Sequence, residues 1–317
     1  MGFVRAAGVR VASAVGTLFV ASLVIYGSLF LAPGSPANFL VNARTTSPEQ
    51  LAAITAQYHL DDPFLVQWWL WLSNTLRGSL GRSLVQRNDV WSLIEPRIGT
   101  TALLIVLASI FTILFGVTSG TIAGLRRGSI TDSAVTVINS AALAIPPFVG
   151  GVILITVFAV QLPWFPASGG GDGPIDSLHH LVLPSVALAL SNGAYVSRIS
   201  RAAVISEAAS EHVETARIRG LSDRAVVFRH IIRNALIPIT TVSGVTIAGL
   251  ISSTVVIEAV FGLNGLGALL LQSVLSKDFA VVQAITMMMV LAFVVVNAVV
   301  DLVYTVLDPR VTTGVAR

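Results

Sequence analysis

The 317-residue chain contains no cysteine, which excludes disulfide frameworks, thiolate metal sites and cysteine nucleophiles. Its only lysine, Lys277, lies in Leu275-Ser276-Lys277-Asp278 with no glycine loop before it, so there is no P-loop to cradle nucleotide phosphates. Charge is scarce too: 11% of residues are Asp, Glu, Lys or Arg, against about 25% in a soluble globular domain. So little charge cannot coat a water-exposed surface. Nineteen basic residues against sixteen acidic ones leave a formal net charge of +3, too small a surplus for a nucleic-acid-binding face. No H-E-x-x-H or G-x-S-x-G pattern and no paired catalytic carboxylates occur, and His59, His212 and His230 are well separated along the sequence, so no hydrolytic centre is expected.

What the chain has is apolar length. Hydrophobic residues make up 54% of it, and the mean hydropathy is +0.84. Residues 11–32 are uncharged and follow Arg5 and Arg10. At about 1.5 Å per residue this run crosses a bilayer core of roughly 30 Å, and it exceeds the h-region of a cleaved signal, so it reads as a retained helix. Further charge-free runs occupy 98–125, 133–162, 181–197, 235–257 and 279–300. The expected fold is an all-α polytopic membrane protein with six transmembrane helices. Pro146, Pro147 and Pro184 lie inside spans, where neighbouring helices must compensate the lost donors. With the N-terminus inside, Arg5, Arg10, Arg126, Arg127, Arg198, Arg201, Arg217, Arg219, Arg224, Arg229, Arg233, Arg310 and Arg317 are cytoplasmic. Arg44, Arg77, Arg82, Arg87, Arg97 and Lys277 are outside. The positive-inside rule therefore puts both termini in the cytoplasm of a bacterial inner membrane.

Residues 1–32 thus form the N-terminus and first span, 33–97 an extracytoplasmic insertion, 98–305 a five-helix core, and 306–317 a cytoplasmic tail. In the insertion, Ser47-Pro48-Glu49-Gln50 reads as a helix start and Asp62-Pro63 as a second. The helix expected at 64–76 carries Trp68, Trp69 and Trp71 but is too short to span; it is either an interfacial cap on the bundle or a docking surface for an external protein. Gly169-Gly170-Gly171 reads as a flexible turn.

The core contains a long cytoplasmic loop, 204–234. Ser210 can cap a short helix whose first turn holds Glu211 and Glu214, Gly220 ends it, and Ser222-Asp223 starts a second helix running back to the membrane. The result is a helix–turn–helix elbow. A loop that merely joined two spans needs only a few polar residues; the order Glu, Thr-Ala, Gly, Pro goes beyond that.

Glu211, His212, Val213, Glu214, Thr215, Ala216, Arg217, Gly220 and Leu221 resemble the EAA loop of ABC importer permeases, and more narrowly the B-type membrane subunit of the dipeptide, oligopeptide and nickel importers. Matching stretches run along nearly the whole chain: Glu49-Gln50, residues 78–83, Ile145-Pro146-Pro147-Phe148, Arg198, Arg201, His230, residues 233–238, residues 258–261, Gly265-Leu266-Gly267, Asn297, Asp301 and Asp308-Pro309-Arg310. Departures stand at His59, Ser79, His212 and Arg219, where the family usually has glycine, an acid, an aromatic and lysine. The resemblance implies a permease subunit that moves short peptides inward. It implies as partners a second homologous permease, two cytosolic ATPases that bind ATP and magnesium, and an external solute-binding protein, with no cofactor in this chain and the elbow as the ATPase-coupling element. Nickel and glutathione are the alternative cargoes. A secondary transporter is the alternative class; it predicts inverted repeats and broken helices, and the sequence shows neither.

Polar residues in the apolar runs complete the candidates. Glu258, near the outer end of the fifth span, reads as a loop-holding group or a pathway group, and Asp301 as a partner for a cytoplasmic-side arginine or a helix cap. Asn139, Ser140, Ser252, Ser253 and Thr254 either face a water-filled pathway or act as helix-packing glue. His179-His180, two adjacent histidines in an expected loop, form no complete first shell, so no metal site is expected there.

Overall fold

The computed structural model describes residues 2–31, 61–83 and 85–307. The helix start expected at Ser47 to Gln50 and the tail beyond 307 lie outside the described residues. Among these, structure is helical apart from turns and one antiparallel bridge between Arg82 and Asp89. The chain divides into two compact units. One holds Phe3–Thr100 and Asn264–Val294; the other holds Thr101–Leu263 and the last helix from Val295.

In the first unit, α1 (Gly2–Leu31) and α2 (Phe64–Leu76) pair through an aromatic seam. Phe64 packs on Tyr26 and Phe30, while Trp68 meets Phe19 edge-on at 5.4 Å, so the two helices run antiparallel. Two polar bonds fix the register: Trp68 Nε1 donates to Ser22 Oγ at 3.2 Å, and Tyr26 OH donates to Gln67 Oε1 at 3.1 Å. The tryptophans anticipated as one belt therefore divide. Trp68 is buried against α1, Trp71 packs on Tyr26, and Trp69 is exposed. Helix α3 (Val90–Leu125) begins eight residues before the expected span, and its first turns form a core with α9 (Leu266–Leu275) and the start of α10 (Phe279–Leu307), centred on Val90, Ile94, Leu269 and Ile285. Ser83 Oγ donates to the buried Asp278 carboxylate and accepts from Gln86 N–H, which pins the turn before α3 to the turn before α10.

The second unit is built on α6 (Pro174–Ala208), a 35-residue helix that is not interrupted at Pro184. Around it lie the rest of α3, α4 (Ile130–Ala144), α5 (Pro147–Leu154) with the π-wound turn Ile155–Gln161, and α8, continuous over Asp223–Val260. Leu104, Leu181, Leu188, Leu250, Ile257 and Phe261 are buried in its core. Helices α3 and α6 approach backbone to backbone. A Cβ on Gly120 would lie 2.2 Å from Ser197 O, and one on Gly116 would lie 2.8 Å from Gly193 O. With Gly124 facing Val204 and Arg201 O, these glycines, spaced by four, let two backbones touch as small-residue ladders do in membranes.

Helices Gly8–Ser28, Val90–Leu125, Asp223–Val260 and Phe279–Val300 are long and apolar enough to cross a bilayer, and α4 with the α5 segment makes a fifth if taken as one. That pair corrects two expectations. Instead of one helix over 133–162, the chain bends by 105° at Ile145-Pro146. A residue before proline is pushed out of the helical region, and Ile145 is extended (φ −92°, ψ 119°), while Pro147 takes the first helical position, where no donor is needed. One broken helix is therefore present. The sixth expected run, 181–197, lies inside α6. Its middle is buried by protein, so Ser185, Gly193 and Ser197 stand where a lipid-facing helix needs apolar residues.

Candidate functional site

The elbow forms as the sequence anticipates, with one change at its start. Helix α7 (Glu211–Ile218) follows Ser210, whose backbone takes the cap conformation and whose carbonyl accepts from Val213 N at 3.0 Å. The Ser210 hydroxyl does not cap, because it turns back and donates to Glu207 O at 2.6 Å. Glu211 and Glu214 remain in the first turn, where their charge suits the helix dipole. The end is a Schellman motif: Gly220 N donates to Arg217 O at 2.9 Å, Leu221 N donates to Ala216 O at 3.3 Å, and Gly220 supplies the left-handed backbone (φ 77°). Ser222 then caps α8, its Oγ accepting from Ala225 N at 3.4 Å. The helix is π-wound over Val226–Ile232 and α-wound from Arg233.

Val213 and Ala216, three apart on one face, are buried against Val204 of α6 and Val226, Ile231, Ala235 and Ile239 of α8. Glu211, His212, Glu214, Thr215, Arg217 and Gly220 are exposed, as are Ile218 (80%) and Leu221 (42%). Arg217, Arg219, Arg224 and Arg229 make no ion pair with another described residue. Beside the turn, Ser222, Arg224, Ala225, Phe228 and Arg229 line an open hollow of about 370 Å³. An element whose inner face is packed and whose outer face leaves cations and large apolar side chains uncovered is chemically suited to a protein partner.

The pathway candidates separate by burial. Asn139 Nδ2 donates to Ser197 Oγ at 2.7 Å, and Ser197 lies 2.8 Å from Ser119 Oγ, so this trio links α4, α6 and α3. Thr254 is buried and donates to Ile251 O at 2.8 Å. Glu258 is fully buried in the second unit and accepts from Thr101 Oγ1 at 2.6 Å, while its carbonyl accepts from Leu263 N at 2.9 Å and closes the turn after α8. Ser140 and Ser252 are exposed, and Ser253 is half-buried. His179 and His180 stand on the first turns of α6 and not in a loop; His179 Nε2 lies 3.1 Å from Trp164 O, and His180 Nδ1 lies 2.9 Å from Asp176 O and 3.4 Å from the Asp176 carboxylate. Among the described residues no three His, Asp or Glu side chains gather as metal ligands.

The family model described as the binding-protein-dependent transport system inner membrane component matches residues 113–313, and its N-terminal companion matches residues 4–108. The chain belongs to this family. It is a multi-pass permease component of an ABC importer. A glutathione transport system permease protein of Escherichia coli O6:H1 is 32% identical over 302 residues, covering 95% of this chain and 97% of that protein. A Brucella abortus protein whose name assigns it to peptide transport systems as a permease is 35% identical over 305 residues, covering 95% and 97%. The fold is shared with a methionine ABC transporter solved in inward-facing conformations (TM-score 0.55, 17% identity, 68% of this chain and 96% of that one). It is also shared with an amino acid ABC transporter solved with histidines (TM-score 0.53, 18% identity, 67% and 93%).

Two features of this permease were not singled out from the sequence. Arg201 grips Asp132 with two bonds, Nε to Oδ1 at 2.5 Å and Nη2 to Oδ2 at 2.8 Å, and Gly128 N donates to the same carboxylate at 2.9 Å. Nothing local in Ser129-Ile130-Thr131-Asp132 announces a partner 69 residues away. The glycine ladder, in contrast, carries a readable signal, since Gly116-x₃-Gly120-x₃-Gly124 is the small-residue spacing of close helix pairs.

Proposed function

We propose that this permease carries short peptides inward, driven by ATP hydrolysis on two partner ATPases that push on the elbow Glu211 to Leu221. The carrying observation is the elbow itself: a capped helix seated on α6 and α8 by Val213 and Ala216, with an outer face left uncovered. Closure of nucleotide-loaded ATPases would displace such an element as a body and shift the bundle between two packings, a population shift that substrate must influence reciprocally. Both termini are cytoplasmic in this reading, supported by the thirteen cations on that side. A second, homologous permease completes the pathway. Its place is supported by one exposed stripe on α8, Thr241, Val245, Gly249, Ser252, Val256 and Ala259, spaced by three and four. An external solute-binding protein delivers the cargo. Relatives named for peptide and for glutathione transport both handle peptide-bonded cargo, which supports peptides over nickel.

Uptake of radiolabelled dipeptide, tripeptide and nickel by the reconstituted complex tests the reading. Peptide uptake with ATP, and none with a hydrolysis-blocked ATPase, is expected; nickel uptake without peptide uptake overturns the cargo. Gly220→Val, which forces a β-branched side chain into a φ of 77°, should leave ATP hydrolysis running while uptake falls by about tenfold or more. Wild-type uptake in that variant overturns the coupling role.

A further inference from the structure

Val213 and Ala216 hold the elbow by apolar contact, which is non-directional and does not by itself fix α7 against rotation or sliding. A second attachment does. Glu207 on the last turn of α6, His212 on the first turn of α7 and Asn234 on α8 bring three polar atoms together. Glu207 Oε1 lies 2.9 Å from His212 Nε2 and 3.0 Å from Asn234 Nδ2, and the two nitrogens are 3.1 Å apart. The carboxylate only accepts and the amide nitrogen only donates, so Oε1 takes the Asn234 bond, and it takes the His212 bond when the imidazole proton is on Nε2; the two nitrogens are then neighbouring donors at 3.1 Å and not a third bond. The nearby Ser210 hydroxyl, 3.4 Å from Nε2, has committed its hydrogen to Glu207 O and can offer only a lone pair, which agrees.

We propose that Glu207, His212 and Asn234 form a clamp that makes the elbow move as one body with the two helices it joins, so that His212 is a positioning residue of ATP coupling and not a contact of the ATPase. The case for positioning over stability lies in exposure. The side chains of His212 and Glu207 are 45% and 24% exposed, and a pair that wet adds little to the folding equilibrium. Its location gives it a different use. Between the elbow and the α-wound part of α8 lies the π turn Val226–Ile232, whose i to i+5 bonding is a locally altered winding able to absorb a displacement. Asn234 lies beyond that turn. The clamp therefore links α7 directly to the stiff part of α8 and to α6, bypassing the compliant segment.

This rests on the elbow receiving the push, and the test separates the two ideas. In the full complex, transport per ATP hydrolysed is measured for His212→Phe, Glu207→Leu, the double variant, and His212→Gln, whose amide nitrogen can reach the place of Nε2. The ratio should fall about fivefold in each of the first two, fall no further in the double variant, and recover in His212→Gln. ATPase copurification should be unchanged throughout. A wild-type ratio in His212→Phe overturns the clamp. So does failure of His212→Gln to recover, or loss of ATPase copurification with an unchanged ratio, which makes His212 a contact. If Gly220→Val uncouples while His212→Phe does not, the clamp alone falls; if Gly220→Val transports normally, the coupling reading falls.

Discussion

Within the second unit, the helix bundle and the elbow treat charged and amide side chains in opposite ways. In the bundle, Asp132 is held by Arg201, Glu258 by Thr101, and Asn139 by Ser197. In the elbow, Glu211, Glu214 and Arg217 lie exposed, and the four arginines from Arg217 to Arg229 make no ion pair with a described residue. Solvent explains the difference. A charge away from water must be compensated inside the same chain, whereas an exposed charge can wait for a partner at little cost. Pairing within the chain thus marks groups that hold this permease together, and exposure without pairing marks groups free to engage another protein.

The largest test of that division is where the backbones of α3 and α6 meet. Gly120→Val places atoms where Ser197 O lies 2.2 Å from an added Cβ, and because the obstacle is backbone, the cost should exceed the about 1–3 kcal/mol usual for overpacking. Little folded permease should survive detergent extraction, as read by size-exclusion chromatography. Gly249→Val is the control. Gly249 sits on the exposed stripe of α8 with nothing within 4 Å of an added Cβ, so the permease should extract normally and lose, at most, its pairing with the second subunit. Equal loss in both variants would erase the contrast between inner and outer faces.

Glu258 is the intermediate case, since it is buried like the bundle pairs yet lies near an expected pathway. Glu258→Ala removes the acceptor of Thr101 and should cost about 1–3 kcal/mol, seen as a lowered thermal midpoint of the purified permease. Glu258→Gln keeps a carbonyl oxygen for Thr101 and should retain most of both stability and uptake. If the glutamine variant is as stable as wild type but does not transport, the carboxylate's charge serves the pathway and the loop-holding role is incomplete.

How much of this was legible depended on how local the determining forces are. The elbow could be read residue by residue because caps and glycine turns are short-range: Glu211, Gly220, Leu221 and Ser222 each settle backbone within a few positions. The helix from Phe64 to Leu76 was legible for the same reason, from Asp62-Pro63. What lay hidden was set by distant partners. The burial of Trp68 depends on Ser22 and Phe19, and the Asp132–Arg201 bond on a helix crossing that no window of sequence displays. The break at Ile145 was half legible. The prolines were visible, but hydropathy ran unbroken across them, so one span was expected where the chain bends by 105°.

The smallest expected effect separates two serines that look alike in sequence. Ser210 and Ser222 each precede a helix and an acidic residue, and each reads as an N-cap. Only the Ser222 hydroxyl accepts from its helix, at 3.4 Å from Ala225 N, whereas Ser210 donates backwards to Glu207 O at 2.6 Å. Ser222→Ala should therefore cost little, about 0.5 kcal/mol, at the low end for a cap because the bond is long. Ser210→Ala removes no cap. It removes a bond that holds the turn beside the clamp of Glu207, His212 and Asn234, so its effect should appear in transport per ATP before it appears in thermal stability. Measuring both quantities for both variants ranks the two serines. A larger coupling loss in Ser222→Ala would mean that the start of α8, and not the junction with α6, carries the displacement into the bundle.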